Sequence, residues 1–369
     1  MLTTPMKKLT ILALLLVTVA SKTIQAQTEP SAITTAIPFL LIPSDARGGG
    51  MGDIGVATSS DAYALFHNPS KIAFNENQYS FGVNYVPWLR NLTDDIFVGN
   101  FSAVNRFSET AAWGVDLKYF SLGQIETTNN DGLPTGYKNP SEFALSGYYS
   151  MKLSETFSMG VGLKYINSNL DINDEFDAVN SFAVDISGYY QSSEENYGTF
   201  NGRYRLGFNI ANIGPKVEYN PGTENFIPTN IKLGGGFDFI LDDFNTVGVN
   251  LEFRKLLVPS SGPESDRGWF EGMFTSLGDR SFSEELQEVN WSLGAEYLYN
   301  DSFALRAGYF NESEFKGNRQ YFTLGAGFEA NAFSLDLSYL MNTSDVNNPL
   351  ENTLRFSLAF DLGEIYEEY

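Results

Sequence analysis

Residues 78–85 read Gln-Tyr-Ser-Phe-Gly-Val-Asn-Tyr, in which bulky apolar side chains alternate strictly with small or polar ones. Successive side chains of an extended chain point to opposite faces, so this period of two predicts a β-strand with one apolar and one polar face. The alternation returns at 111–119, 157–165, 322–329 and 354–361. About fourteen such segments follow one another to the C-terminus, an even number as in single-chain bacterial β-barrels.

Length and charge distinguish these segments from the strands of soluble sheets. They run for about 9 to 12 residues, the span of a tilted transmembrane strand, against about 5 or 6 in soluble sheets. The charged residues that lie on the polar face of the segments include Asp116, Lys164, Asp185, Arg205, Lys232, Asp238, Glu252, Arg254, Glu296, Arg306, Asp336 and Arg355, and the apolar face carries essentially none. A lipid-facing surface requires this separation because an Arg or Lys at mid-bilayer costs about 2 to 4 kcal/mol. We therefore predict that the apolar faces contact lipid.

The connections between the segments alternate between short and long. The short ones are turns at 154–156, 242–245, 300–302 and 330–332, and the long ones are polar loops at 124–141, 167–180, 214–229, 255–288 and 342–352. Short periplasmic turns and long extracellular loops produce this rhythm in outer-membrane barrels. Closure follows as well, because no strand edge can stay unpaired in hydrocarbon. The expected fold class is all-β, a transmembrane antiparallel β-barrel of about fourteen strands.

The N-terminus has the pattern of a secretory signal peptide. Lys7 and Lys8 precede an apolar run over 9–20, and Ala26 ends a short polar stretch that follows it. The apolar run is shorter than the roughly 20 residues that a spanning helix needs. We predict cleavage after Ala26 and export to the outer membrane.

Composition argues against several kinds of site. The formal net charge of −22 disfavours nucleic acid as a partner, because that binding depends on Lys and Arg at phosphates. The chain has no Cys and one His, so a tight zinc, copper or iron site is not expected. A Ser/His/Asp triad would have to use that one residue, His67, for which a packing or hydrogen-bonding role is the simpler interpretation. We predict no catalytic residue, no metal and no cofactor, and hence no enzyme.

A glycine-rich segment precedes the first strand and reads SDARGGGMGDIGVATSSDAYALFHNPSKIAF over 44–74. Glycine permits positive φ and close backbone approach, and Asn-Pro sets a turn. The plug and turn residues that follow from this are Gly50, Gly52, Gly55, Asn68 and Pro69. We predict that the segment occupies the lumen, with a periplasmic extension as the alternative. The expected organisation is a signal peptide at 1–26, a plug-like segment at 27–77, the barrel at 78–363 and a C-terminal tail at 364–369.

This motif resembles the N-terminal region of the FadL-like superfamily of outer-membrane barrels, and within it the PorV family of the type IX secretion system of Bacteroidota. The resemblance covers the layout of the whole mature chain, although the chain ends in Glu-Ile-Tyr-Glu-Glu-Tyr rather than in the commoner terminal Phe. It implies a type IX secretion component that captures or shuttles cargo. The implied partners are an SprA-type translocon barrel, secreted cargo proteins with C-terminal signal domains and components of the attachment machinery, besides membrane lipid and lipopolysaccharide.

Two other functions remain open. A FadL-type importer of hydrophobic small molecules needs a continuous apolar path through the lumen, whereas the inward phase of the strands is read as Gly, Ser, Asn and charged residues. This composition favours the protein-handling function. A purely structural barrel, the third possibility, would show no export phenotype on deletion.

The longest loop, 255–288, contains Gly-Trp-Phe-Glu-Gly-Met-Phe at 268–274 between charged flanks. Large apolar side chains of this kind are unusual in loops that face water and are typical of protein interfaces. We predict that a partner binds this cluster, which consists of Trp269, Phe270, Met273 and Phe274. The alternative is that the cluster folds back over the barrel mouth or dips into the outer leaflet.

Overall fold

The structure, a computed structural model, describes residues 32–89, 93–129, 131–172, 178–260, 266–346 and 351–366. The predicted signal peptide at 1–26 and the end of the predicted tail, 367–369, lie outside the described residues. Within these ranges, no helix has the length and apolar character needed to cross a bilayer.

Fourteen long antiparallel strands form a closed barrel. In chain order they are β1 Asn77–Pro87, β2 Ile96–Arg106, β3 Ala111–Leu122, β4 Ser141–Lys152, β5 Phe157–Asn169, β6 Val179–Gln191, β7 Asn201–Ile213, β8 Asn230–Ile240, β9 Asn245–Leu256, β10 Asn290–Tyr299, β11 Phe303–Asn311, β12 Gln320–Ala330, β13 Phe333–Asn342 and β14 Leu354–Ile365. Each strand pairs with the next along the chain, and β14 returns to β1, where Phe360 lies opposite Phe81. Both edges of every barrel strand are therefore paired, as hydrocarbon requires. The predicted fold class is confirmed.

The two ends of the barrel differ in the length of the connections between strands. At the end where the chain enters β1, the turns span 107–110, 153–156, 192–200, 241–244, 300–302 and 331–332. At the other end, the loops span 88–95, 123–140, 170–178, 214–229, 257–289, 312–319 and 343–353. The predicted alternation holds with three departures, because 192–200 is long for a turn and 88–95 and 312–319 are short for loops. In outer-membrane barrels the short turns face the periplasm and the longer loops face outward.

Side chains alternate between the outer and inner faces of the barrel as predicted. Leu163 and Leu305 point outward and are 61% and 62% exposed, whereas Asp116 and Arg306 point inward and are buried. The charged residues predicted on the polar phase all face the lumen. Their separation from the apolar stripe leaves the outer surface without charge across the middle of the strands, as lipid contact requires.

The inner wall is not polar throughout, which corrects the expectation of an inward phase made of Gly, Ser, Asn and charges. Toward the extracellular end the inward, buried side chains include Val86, Val98, Phe120, Ile166 and Leu340. They form one apolar cluster with residues 36–42 of the N-terminal segment. The strands carry apolar residues on both faces there because the inner face packs against a second part of the chain instead of water.

The N-terminal segment, residues 32–76, runs through the lumen as short helical pieces. These are a 3-10 helix at Pro38–Leu41, helix α1 at Ala46–Gly49, helix α2 at Ala64–His67 and a 3-10 helix at Pro69–Phe74. At the extracellular end, the Ala36 N–H donates to the carbonyl of Phe226 in the loop after β7. At the periplasmic end, the Asn75 carbonyl accepts from Arg106 at 2.7 Å. The segment therefore spans the lumen from one mouth to the other.

The last strand continues beyond the predicted barrel boundary at residue 363. β14 ends at Ile365, and the Tyr366 hydroxyl then donates to the Arg106 carbonyl at 2.9 Å. The Arg106 guanidinium lies 4.3 Å from the centre of the Tyr366 ring. Residues 364–365 of the predicted tail thus belong to β14, and Tyr366 contacts β2.

Candidate functional site

Two of the predicted glycines lie where the N-terminal segment meets the barrel wall. A Cβ atom on Gly50 would be 3.0 Å from the Gly325 Cα, and one on Gly52 would be 2.9 Å from the Tyr309 carbonyl oxygen. Gly52 also has a φ of 76°, a left-handed conformation that glycine adopts without strain. These positions let the backbone of the segment approach the backbone of β11 and β12.

The third glycine, Gly55, makes room for His67 inside the segment. A Cβ atom on Gly55 would lie 2.1 Å from the His67 ring, and Nε2 of His67 is 2.5 Å from a carboxylate oxygen of Asp45. Burial raises the pKa of Asp45, but His67 and the Gly48 N–H outweigh it and hold that pKa below its usual range. Nδ1 of His67 has no hydrogen-bond partner among the described residues. The geometry supports a packing and hydrogen-bonding role for this histidine.

Asn68 and Pro69 form the turn that starts the second 3-10 helix. The Asn68 side-chain oxygen accepts from the Ser70 N–H at 3.1 Å, and its amide donates to the carbonyls of Val56 and Gly188 at 2.8 and 3.1 Å. Pro69 takes the first helical position, where a missing N–H leaves nothing unsatisfied. Because Gly188 belongs to β6, Asn68 fastens the turn to the wall.

The segment touches the inner wall around its whole circumference. The wall residues that meet it, one from each strand from β1 to β14, are Ser80, Ser102, Gly114, Ser150, Gly160, Ser187, Gly207, Gly234, Glu252, Gly294, Gly308, Gly325, Ser338 and Ser357. Nearly all are Gly or Ser, whose small side chains leave space for another backbone. The inward small residues that the alternation revealed are therefore the seat of the segment, not the lining of an open pore.

Buried charges also join the segment to the wall. Asp53 is ion-paired with Arg355 of β14 and accepts a hydrogen bond from the Tyr321 hydroxyl. Glu252 of β9 accepts from the two backbone N–H groups of residues 55–56 at 2.8 and 2.9 Å. Removing one partner of a buried pair costs about 3 to 5 kcal/mol, because the other charge stays uncompensated. The segment is thus held by charge as well as by packing.

A second charged network lies toward the periplasmic end. Arg47 of α1 binds Asp61 at 2.7 Å and Glu296 of β10 at 2.9 Å. Arg306 binds the same Glu296 at 2.5 Å and Asp336 at 2.6 Å. These side chains line a polar cavity of about 370 Å³. The periplasmic side of the plug is therefore polar, in contrast to its extracellular side.

Lys71 is fully buried beneath the glycine-rich turn. Its ammonium donates to the Gly55 carbonyl at 3.0 Å and to the Thr58 hydroxyl at 2.9 Å. Both acceptors are uncharged, and burial lowers the pKa of Lys71 to about 8. The side chain bridges two parts of the segment at an electrostatic cost.

A cavity of about 810 Å³ lies between the segment and the extracellular mouth. One wall is Phe120 of β3, which stacks on Phe39 with ring centres 6.4 Å apart. The floor is the Phe66 ring of α2, and the ammonium groups of Lys118 and Lys232 lie 4.2 and 4.6 Å from its centre. The alternation identified Lys232 as inward but gave no sign of the cavity, which depends on where residues 32–43 and Phe66 are placed.

The predicted partner-binding cluster lies on one short helix of the longest loop. Helix α3, Trp269–Thr275, carries all four residues, and helix α4, Phe282–Gln287, follows it with a capping box formed by Ser281 and Glu284. The backbone of α3 packs closely on the loop that follows β7, since a Cβ atom on Gly272 would lie 2.7 Å from the Phe226 ring. The described part of this loop that carries α3 and α4 is therefore folded and packs against a neighbouring loop.

The four residues of the cluster do not share one environment. Met273 is buried and Trp269 is half-buried, whereas Phe270 and Phe274 are 59% and 61% exposed. Phe270 packs edge-on against both Trp269 and Phe274, with ring centres 5.6 and 5.3 Å apart. The helix thus buries Met273 and presents two phenylalanines outward.

Glu288 anchors this loop to the barrel. Its carboxylate accepts from Lys255 and from Lys316, the latter at 2.9 Å. Burial raises the pKa of Glu288, but these hydrogen bonds outweigh it and hold that pKa below its usual range. Carboxylate oxygens of Asp279 and Glu285 lie within 4.8 Å of Glu288, and Lys255 also pairs with Glu285 at 2.9 Å. With two lysines inserted, this acidic group is a loop anchor and not a cation site.

Comparison with known proteins gives one family. The family model described as Type IX secretion system protein PorV matches residues 25–263. No curated protein matches the sequence.

Several solved barrels are similar to this chain. A FadL homologue of Pseudomonas aeruginosa is 12% identical with a TM-score of 0.46, covering 90% of this chain and 99% of that chain. The CymD monoaromatic hydrocarbon channel is 12% identical with a TM-score of 0.48, covering 89% and 99%. The toluene transporter TodX of Pseudomonas putida is 12% identical with a TM-score of 0.47, covering 90% and 98%. Identities this low do not transfer a ligand to this chain.

Proposed function

The chain belongs to the PorV family of type IX secretion system proteins, and from this premise we propose that its extracellular loops bind the translocon barrel and cargo proteins. Family membership gives an outer-membrane barrel of that secretion system, in a family of transport proteins and not of enzymes. The proposal adds which surface binds these partners. It assigns the binding to the longest loop and requires no opening of the lumen.

The observation that carries the proposal is the orientation of α3. Its buried side, with Met273, fixes the helix on the rim, while Phe270 and Phe274 are more than half exposed. Exposed aromatic side chains on a rigid support are typical hot-spot residues, because little conformational entropy is lost when they become buried against a partner.

The same loop carries further exposed apolar side chains. Leu277 is 57% exposed, and on α4 Phe282 and Leu286 are 80% and 57% exposed. The two helices together display more apolar surface than a loop that faces only water has reason to keep. This supports a protein interface and argues against the alternative in which the whole cluster folds back over the mouth.

The packing of the lumen supports a role at the surface. The N-terminal segment contacts all fourteen strands and is held by buried ion pairs. Passage of a folded cargo through this barrel would therefore require the loss of all these contacts. A barrel that captures or shuttles cargo needs no such passage.

The test compares two pairs of exposed extracellular residues. Changing Phe270 and Phe274 to Ala should leave the heat-modifiable migration of the barrel intact and lower co-purification of the translocon barrel by about tenfold or more, about 1.4 kcal/mol of binding free energy. The matched control changes Leu133 and Tyr137 to Ala, both 61% exposed on another extracellular loop, and should leave recovery unchanged. Normal recovery with the phenylalanine variant would refute the assignment.

A second candidate function is the import of hydrophobic small molecules. The apolar extracellular cavity of about 810 Å³ favours it, whereas the closely seated segment below the cavity opposes it. The discriminating measurement is uptake of a radiolabelled hydrophobic compound, such as toluene, by cells with and without the protein. Uptake that depends on the protein would support import. Equal uptake with and without the protein would rule out import and leave secretion as the remaining function.

A further inference from the structure

The periplasmic end of the barrel carries a ring of negative charge. Of its six turns, five contain acidic residues and none contains a basic one, which gives seven carboxylates in all. The seven residues are exposed and none forms an ion pair among the described residues. Six of them are Glu109, Glu155, Glu194, Glu195, Asp242 and Asp243. The turns therefore present negative charge to the periplasm with no counter-charge of their own.

Basic side chains that end strands nearby lie against aromatic rings. The Arg106 guanidinium lies 4.3 Å from the centre of the Tyr366 ring, and the Lys152 ammonium lies 4.1 Å from the centre of the Phe74 ring. Arg106 is also buried. These cations thus support the inner contacts of the barrel end rather than the surface of the turns.

The polar cavity of about 370 Å³ opens within this ring, since the seventh turn carboxylate, Asp301, is one of its lining residues. Seven of the lining residues are acidic and three are basic. The network around Arg47 and Arg306 neutralises part of this charge. By contrast, Glu329 of β12 and Asp361 of β14 have no ion pair among the described residues. An excess of negative charge therefore remains in the cavity.

The charges around these two carboxylates are mainly of the same sign. Asp361 and Asp336 act on Glu329 as like charges, and Arg47 acts on it as an opposite charge. The carboxylate of Asp61 in turn acts on Asp361 as a like charge. Carboxylates that share a site repel one another, and a cation between them removes that repulsion. The cavity is thus electrostatically complementary to a positively charged group.

A buried hydroxyl without a partner also belongs to the lining. Tyr63 of the lumen segment is 4% exposed, and a Cβ atom on Gly82 would lie 2.8 Å from its ring. Its hydroxyl has no hydrogen-bond partner among the described residues, although Asp336, Asp61 and Asp361 all act on it as charges. A buried polar group left unpaired costs free energy. A ligand that donates hydrogen bonds and carries positive charge would satisfy the hydroxyl and the carboxylates together.

The spacing of the carboxylates favours an extended cation over a metal ion. Among the described residues, one group of three acidic side chains has oxygens within 4.8 Å of one another, and it is Asp279, Glu285 and Glu288 at the other end of the barrel. The cavity of about 370 Å³ has the volume of roughly a dozen water molecules at about 30 Å³ each, which is room for a long side chain. Guanidinium and ammonium groups are donors without acceptors, so they match a lining rich in acceptors.

From these observations we propose that the periplasmic mouth binds a basic segment of a periplasmic protein. One arginine or lysine side chain enters the cavity beside Glu329, Asp361 and Tyr63, while neighbouring basic residues face the carboxylates of the turns. Opposite charge over so wide a surface also speeds the encounter with such a partner. This surface lies at the opposite end of the barrel from α3, so the inference does not depend on docking by the longest loop.

The test uses two peptides of equal length that differ in charge. The probes are fluorescein-labelled hexaarginine and its uncharged citrulline analogue, and their binding to the full-length protein in dodecyl maltoside is followed by fluorescence anisotropy. Hexaarginine should bind and the citrulline peptide should not. The affinity for hexaarginine should fall at least tenfold between about 0.1 M and 1 M salt, because the screening length falls from about 10 Å to about 3 Å.

Two double variants that remove the same charge locate the binding. Glu329→Gln with Asp361→Asn should weaken hexaarginine binding at least tenfold, and Asn at position 361 keeps an acceptor for the Ser80 hydroxyl. The matched control is Glu126→Gln with Asp131→Asn, at exposed positions of an extracellular loop, and should change the affinity less than about twofold. Equal weakening by the two double variants would overturn the proposal, since the peptide would then follow the net charge of the protein.

The variant Tyr63→Phe tests insertion into the cavity itself. It should leave heat-modifiable migration intact, because the hydroxyl has no partner to lose, and should weaken hexaarginine binding several-fold through the lost hydrogen bond. Unchanged affinity in this variant would overturn insertion even if the Glu329 and Asp361 variant failed to fold. Calcium is the alternative occupant. Calorimetric binding of one Ca²⁺ per barrel, without binding of hexaarginine, would overturn the proposal in favour of a metal site.

Discussion

Asp53 of the lumen segment and Arg355 of β14 form an ion pair in which the two side chains are 2% and 1% exposed. The pair joins the plug to the strand that closes the barrel against β1. Because both charges are withdrawn from water, each depends on the other for compensation. The pair therefore couples the seating of the plug to the integrity of the closed barrel.

Replacing Asp53 with Asn should destabilise the folded barrel by about 3 to 5 kcal/mol, since Arg355 would remain buried without its counter-charge. The measurement is the midpoint temperature of the heat-modifiable shift, together with single-channel conductance, which should rise if the plug loosens. The control is Glu271→Gln, which breaks an exposed pair with Arg267 whose side chains are 38% and 59% exposed; its effect should be within about 1 kcal/mol. Equal midpoints for the two variants would contradict the assigned role of the pair.

Because of Lys71, the stability of the plug should change with pH in the alkaline range. Its pKa is lowered from 10.5 to about 8 by burial, so between these values the unfolded chain binds more protons than the folded one. Stability must then rise with pH through that window, by roughly 3 kcal/mol at about 1.4 kcal/mol per pKa unit. Below pH 8 the full electrostatic cost of the buried ammonium is present.

The variant Lys71→Met removes the titrating group. Its midpoint temperature should lack the increase between pH 8 and about 10 that the unmodified protein shows, after subtraction of the trend common to both. Parallel curves for the two proteins over this range would show that Lys71 does not titrate as its burial implies.

The sequence predicted those features that depend on local period. Alternation placed Leu163 outward and Asp116 inward, because a strand gives each residue a face regardless of its partners. It could not predict the extracellular cavity, since that depends on where residues 32–43 cross the lumen. The apolar inward positions such as Phe120 could have been predicted from the sequence. Apolar residues occupy both faces of the strand at that end, and this pattern indicates burial on both sides.

Leu163→Arg should impair insertion, at a cost of about 2 to 4 kcal/mol near mid-bilayer. The fraction of protein that reaches the heat-modifiable form in the outer membrane is the measurement. The neighbouring inward Gly162 is a poor control, because a Cβ atom there would lie 2.4 Å from the Tyr148 ring. Gly147 has no atom within 4 Å of a Cβ, so Gly147→Ala should insert normally. Similar loss from both variants would mean that the assignment of the outer face is wrong.

The anchor of the longest loop at Glu288 should fail in acid. The pKa of Glu288 is held below its ordinary value of 4.5 mainly by the lysines that outweigh burial, so its contribution to stability is complete above pH 4.5 and is lost as pH falls through the lowered pKa. Protonation removes the carboxylate that Lys255 and Lys316 share, and the pair between Lys255 and Glu285 then remains as the ion pair described here between α4 and β9. Hydrogen exchange of residues 266–287, corrected for the intrinsic effect of pH, should therefore accelerate below pH 4.5.

Glu288→Gln should show that faster exchange already at pH 7, while Glu271→Gln in the same loop should not. Slow exchange of the loop in Glu288→Gln at neutral pH would mean that the packing of Met273, and not the carboxylate, holds the loop on the rim.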